Sequence, residues 1–160
     1  MPGLFRIPDY TCALLSASRM VNDIEAAVEA RMMRQEVLAR QDPPLVWGLI
    51  DESVLYRQIG STGVMYKQLD RLREAVEMPH VMIRVVPHAA GFYLSLEGSF
   101  NSLSLETGEL AFVEAPGGGR LIQGSTEVSE FRVRWDRIGA SALPWDSSRD
   151  LIAQAIKRFS

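Results

Sequence analysis

The side chains of this chain that could do chemistry are few and widely spaced. Glu114 interrupts the apolar run "LAFVEAP" and is expected to face the interior beside Phe112. A carboxylate buried there needs a partner or a raised pKa, which is one mark of a functional site. The alternative is a salt bridge across a sheet to Arg84 or Arg120. With the phenols of Tyr56 and Tyr93, Glu114 makes the only set of proton donors read here as catalytic, should the chain be an enzyme. Asp51-Glu52 closes an apolar run and could do acid–base work, but a helix cap at "ESVLY" is the expected role. His80 and His88 each follow a proline and are read as turn residues. They lack the spacing of a metal site, so no metal and no cofactor is expected. "GGGR" lacks the Lys-Ser/Thr and helix start of a phosphate loop and reads as a hairpin turn.

A second group of residues suggests binding. Trp47, Tyr56, Tyr66, His88, Phe92, Tyr93, Phe100, Phe112 and Glu114 are the candidate ligand-binding set. In "GFYLSLEGSF" large apolar groups sit in a glycine-flanked loop, where they should not be free in water. They would cover a ligand cavity, a partner surface or a dimer interface. Seven methionines make such a surface adaptable.

Positioning these residues falls to a recognisable order of elements. Pro8 suits a first helical turn, and Tyr10, Ala13, Leu14 and Ala17 follow at helical spacing to about Ser18. Cys12, inside that helix, reads as a small buried hydrophobe. Asn22 with Glu25 forms a capping-box pattern before the stripe Ile24, Ala27, Val28, Met32 and Val37, and Asp42-Pro43-Pro44 ends that helix. "LVWGLID" reads as a buried strand. Ser61 or Thr62 starts a helix with Met65, Leu69, Leu72 and Val76 on one face. "VMIRVVP" is a second strand, parallel to the first if that helix is a crossover. "GSFNSLSL", "ELAFVEA" and "RLIQG" form an antiparallel meander. Two helices close the chain, capped at Ser125 or Thr126 and at Asp146 or Ser147. Their stripes are Val128, Phe131, Trp135, Ile138 and Leu151, Ile152, Ala155, Ile156, Phe159. The expectation is one α+β domain over residues 1–160. Its sheet would be mixed or antiparallel, with about five to six short strands packed by N-terminal and C-terminal helices.

The 160 residues are enough to bury about 70% of the unfolded surface. A net charge of −3, with no Lys/Arg run, argues against a nucleic-acid surface. One cysteine rules out an intramolecular disulfide. With no apolar run of membrane length and no secretory signal, the expected compartment is the cytoplasm.

Several stretches taken in order, "PGLFRIPDYTCALLSA", "RMMRQEVLARQDPPLVWGLIDESVLYRQIG", "MYKQLDRLREAVEMPHVMIRVVPHAAG", "EGSF" and "AFVEAPGG", resemble the C-terminal domain of a large family of actinobacterial regulators. Those are antitoxin-like transcriptional regulators with an N-terminal helix-turn-helix of the XRE type. Pro2, Gly3, Asp51, Glu52, Leu55, Pro87, Gly91, Gly98, Phe100 and Glu114 match the family pattern. The resemblance implies a domain that senses a signal or binds a partner protein, and carries over no catalytic residue. Met1 stands just before the Pro-Gly that follows the DNA-binding part in the family. The expectation is a stand-alone effector-type domain, or one cut at that boundary. Phe92 and Tyr93 replace a smaller, more polar segment of the family pattern and point to an altered pocket.

The expected function is therefore binding, without DNA contact of its own. The partner is an apolar small molecule, a small partner protein or a full-length regulator. The alternative is a cofactor-independent cyclase or isomerase closing a ring in a polyketide-like substrate of specialised metabolism, where confinement near the reactive conformer supplies much of the rate. A third reading is a homodimerisation module with the Phe92–Tyr93 loop in the interface.

Overall fold

Capping and breaking residues set most of the element boundaries. The computed structural model of the chain describes residues 1–94, 98–114 and 118–160. Helix α1 (Pro8–Ser18) has its proline in the first turn and ends where Arg19 turns left-handed, at φ 53°. Helix α2 (Ile24–Met33) tightens into a 3₁₀ segment, Arg34–Ala39. Strand β1 (Val46–Asp51), the single turn α3 (Ser53–Tyr56), helix α4 (Thr62–Ala75) and strand β2 (Val81–Val86) follow. After them come β3 (Phe100–Leu105), β4 (Gly108–Val113), β5 (Arg120–Gln123), α5 (Ser125–Ser141) and α6 (Trp145–Lys157). The chain is α+β, with its five described strands in two sheets: β1 and β2 pair in parallel, and β3–β4–β5 is antiparallel. Contacts gather into two compact units, residues 1–85 with 143–160, and residues 86–142.

In the first unit, α4 is the crossover that a parallel pair requires. Ser61 caps it, its Oγ accepting from the Val64 N–H at 3.2 Å. Met65, Leu69, Leu72 and Ala75 line one face at helical spacing and are fully buried. They meet Val81, Ile83 and Val85 of β2 and Ile152 and Ala155 of α6 in one core. Gly60 turns the chain into α4 at φ +70°, where a Cβ would come 3.1 Å from that of Ala13. Only glycine combines that backbone with that clearance.

Two buried polar side chains pin segments to this core. Gln68 Nε2 donates to the Phe5 carbonyl at 2.8 Å, and its Oε1 accepts from the Ile7 N–H at 2.9 Å. Gln35 Nε2 also donates to the Arg6 carbonyl at 2.6 Å. The opening residues, which include a 3₁₀ turn at Gly3–Phe5, are thereby held down, with Phe5 buried. Ser148, also buried, accepts from the Val85 N–H at 3.0 Å and donates to the Pro144 carbonyl at 2.9 Å. Leu143 N–H donates to the Val85 carbonyl at 2.8 Å, and Arg84 Nε donates to the Leu143 carbonyl at 2.8 Å. The start of α6 thus satisfies β2 on the side away from β1.

In the second unit the meander pairs Ser102 with Ala111 and Ala111 with Ile122, so these residues share a face. Ala111, Ile122 and Val128 of α5 form a small buried cluster, with Val113 and Phe131 packed on it. The Phe100 and Phe131 rings lie 5.1 Å apart and tilted. Ion pairs Glu109–Arg132 and Arg120–Glu127 lie on this helix side. Asn101, Leu103, Leu105, Leu110, Phe112 and Leu121 alternate onto the opposite face.

Several local expectations are corrected. Asp23, not Asn22, caps α2, its Oδ1 accepting from the Ala26 N–H at 2.9 Å. Gly124 and Pro144 stand at the cap positions of α5 and α6, neither with a side-chain cap bond, in place of Ser125 or Thr126 and Asp146 or Ser147. In α1 the buried residues are Tyr10, Thr11 and Leu15, and Cys12 is exposed because it falls about 100° around the helix from Thr11. Among the described residues no helix is long and apolar enough to cross a membrane.

Candidate functional site

In the first unit, β1 and β2 turn one side chain in two inward. Val81, Ile83 and Val85 enter the core, while Met82 and Trp47 stay on the outer side, Trp47 being 59% exposed. Beside Met82 the end of α4 and the start of α6 leave an open depression of about 320 Å³. Val76, Met78, Pro79, Val81, Met82 and Trp145 line it, with Glu77 at its edge. Arg149 lies over the Trp145 ring, 5.2 Å from its centre, and its Nε is 3.5 Å from Glu77 Oε1. An indole and two thioethers make a polarisable, adaptable surface, and the ion pair gives it one charged edge. The volume is at the small end of ligand sites. Such an arrangement can seat a flat or irregular apolar group and orient one polar substituent. His80, between Pro79 and Val81, has its Nε2 buried without a hydrogen-bond partner among the described residues, which a plain surface turn would not give.

The residues expected to bind divide between the two units. Tyr56 packs against the core of the first unit, with the Arg158 guanidinium 5.6 Å from its ring centre. Tyr66 stands exposed on α4. Asp51 stands one residue before the cap position of α3, Glu52, and its Oδ1 accepts from the Ser53 N–H at 2.8 Å. In the second unit His88 opens an exposed 3₁₀ turn, Phe92 is 75% exposed and Tyr93 is buried. Residues 95–97 of that stretch, and 115–117, the last of which opens the "GGGR" read as a hairpin turn, lie outside the described residues. Phe100 packs on α5, and the Phe112 ring occupies the space a Cβ of Gly119 would need.

Glu114 corrects the expectation placed on it. It lies just past the end of β4, is exposed, and accepts from the Ser99 hydroxyl at 3.1 Å. The alternation that turns Ala111 and Val113 toward α5 ends with the strand, so nothing carries Glu114 inward. Arg84 donates instead to the Leu143 carbonyl, and Arg120 pairs with Glu127.

The residues that sequence reasoning missed are Trp145, Glu77, Met78, Val81 and Met82, which line the depression and stand outside the expected binding set. A signal for Trp145 existed: it stands seven residues before Ile152, on the same helical face. Among the described residues no three His, Cys, Asp or Glu side chains come together as a metal site.

Burial raises the Tyr10 phenol above its ordinary value, and the charges of Arg6 and Arg57 offset part of that. No curated protein and no solved structure matches the chain. A family model described as a domain of unknown function (DUF5753) matches residues 1–154, and the chain belongs to that family.

Proposed function

We propose that this chain is a non-catalytic binding domain whose ligand, an apolar small molecule, seats in the depression between the end of α4 and the start of α6. The observation that carries this reading is the Trp145–Met78–Met82 surface with the Arg149–Glu77 pair at its edge. Ligand there would bear on β2 and α6 together, shifting the population of surfaces offered to a small partner protein or a full-length regulator. The resemblance to the effector part of XRE-type, antitoxin-like regulators supports a sensing role of this kind.

The test is native mass spectrometry of the protein after exposure to an extract of the producing cells. The expected result is a retained small molecule that is released unchanged. Trp145→Ala should lower its occupancy about tenfold with the fold intact, since an aromatic anchor contributes on the order of 1–2 kcal/mol. Retention unaffected by Trp145→Ala would remove the site. Release at the same mass but a new retention time would mean isomerisation and overturn the non-catalytic reading.

A further inference from the structure

We infer that the free edge of β3 pairs antiparallel with the β3 of a second copy of this chain, joining two three-stranded sheets into one of six strands. Among the described residues the sheet order is β3–β4–β5, so β3 is an edge. All of its residues after Phe100 are exposed. Natural sheets guard such edges with charge, proline or a bulge. Strand β3, "FNSLSL", carries no charge and no proline, and pairs residue for residue with β4 without a bulge. The other edge, β5, is only four residues long and begins with Arg120.

The register shows which main-chain groups are available. The Glu114 N–H donates to the Ser99 carbonyl, so in the β3–β4 ladder the odd residues of β3 face β4. The N–H and C=O groups of Phe100, Ser102 and Ser104 therefore face away from β4. These three, spaced by two, suit a symmetric antiparallel pairing centred on Ser102. Ser102 meets its own copy at the two-fold axis, and Phe100 meets Ser104.

The choice of a second copy over a foreign strand rests on charge and shape. An uncharged strand meets its own copy without like-charge repulsion. The small Ser102 sits where two identical side chains must coincide, and each Phe100 faces a serine. On the outer face, Leu103 and Leu105, 44% and 50% exposed, extend across the axis into one apolar surface with Leu110, Phe112 and Leu121. One six-residue strand pair buries well under the ~1,200 Å² of a standard interface, so the dimer is weak and concentration-dependent.

Sedimentation velocity from about 1 to about 500 µM tests this, that range bracketing the affinity of a small interface. The expected result is a reversible monomer–dimer equilibrium. Ser102→Pro removes an N–H that the hairpin does not use, and should raise the dissociation constant at least tenfold with circular dichroism unchanged. Leu103→Lys sets like charges beside the axis and should do the same, which keeps the test open if the proline variant fails to fold. Phe92→Ser should leave the equilibrium alone, separating this edge from the Phe92–Tyr93 loop. A chain that stays monomeric throughout, or a dimer that survives both β3 variants, would overturn the inference. So would a monomer whose β3 amides gain protection only on adding cell extract, since the edge would then belong to a foreign strand.

Discussion

The two sheets of this molecule treat water in opposite ways. In β2, Val81, Ile83, Val85 and Val86 are buried, and α4 and α6 share a core with the strand. In β3, Phe100 is half-buried and every residue after it is exposed, while the meander rests on α5 through a cluster as small as Ala111, Ile122 and Val128. The difference follows from topology. A parallel pair needs a crossover helix, and that helix covers it; an antiparallel meander needs only tight turns and can leave one face open. The covered sheet anchors the proposed ligand site, and the open one carries the edge proposed to pair with a second copy.

Core substitutions are the sharpest way to break this contrast. Leu72→Ala deletes a fully buried side chain among α4, β2 and α6 and should cost about 3–4 kcal/mol in urea unfolding. Ile122→Ala, in the smaller cluster beside solvent, should cost nearer 2 kcal/mol because neighbours can settle into the gap. Hydrogen exchange gives the local readout: Ile122→Ala should strip protection from β4 and β5 amides and spare β2 and α4. Equal costs, or loss of protection everywhere at once, would mean that the two regions do not differ in the way their burial suggests.

Gln68 sharpens the comparison from within the first unit. No polar residue of α4 stood out in the sequence, yet this one is fully buried and satisfies two main-chain groups of the opening segment. Gln68→Leu keeps the volume but strands the Phe5 carbonyl and the Ile7 N–H. An unpartnered buried group costs about 1–3 kcal/mol, so a loss of about 2 kcal/mol is expected. Proteolysis should then cut first within residues 1–7. A stability unchanged by Gln68→Leu would show that those groups find water instead.

How much of this was legible in the sequence depends on the range of the physics involved. Helix α1 runs over the expected residues, because Pro8 sets its first turn locally. The crossover, the parallel pairing and the meander followed from periodicity and turn residues, which act over a few positions. What failed was either phase or long-range contact. Cys12 was placed inward by one residue's error of phase, where Thr11 is the buried neighbour. Glu114 was pulled inward by the apolar run around it, although strand alternation stops one residue earlier. Ser148 and Gln68 act across 63 and 61 residues of chain, and the depression joins residues 76–82 to Trp145. The return of the chain at Leu143 to the first unit left no mark in composition, so the split into two units was invisible to a linear reading.

The smallest expected effect concerns Tyr10, and its sign can be worked out. Burial holds the phenol protonated to higher pH in the folded chain than the unfolded value near 10, with Arg6 and Arg57 opposing. Above that value the unfolded chain releases this proton first, so the folded state holds more protons and stability falls as pH rises. Below pH 10 the contribution is fully present; it is lost between the unfolded and the raised folded value. Tyr10→Phe keeps the ring in the core and removes the ionisation. Urea midpoints for the two proteins at pH 8, 9, 10 and 11 should therefore differ by a constant up to about pH 10, and then converge or cross as the natural chain weakens. Parallel curves across the whole range would show that Tyr10 titrates alike in both states, and that the first unit, for all its buried side chains, leaves this phenol in contact with water.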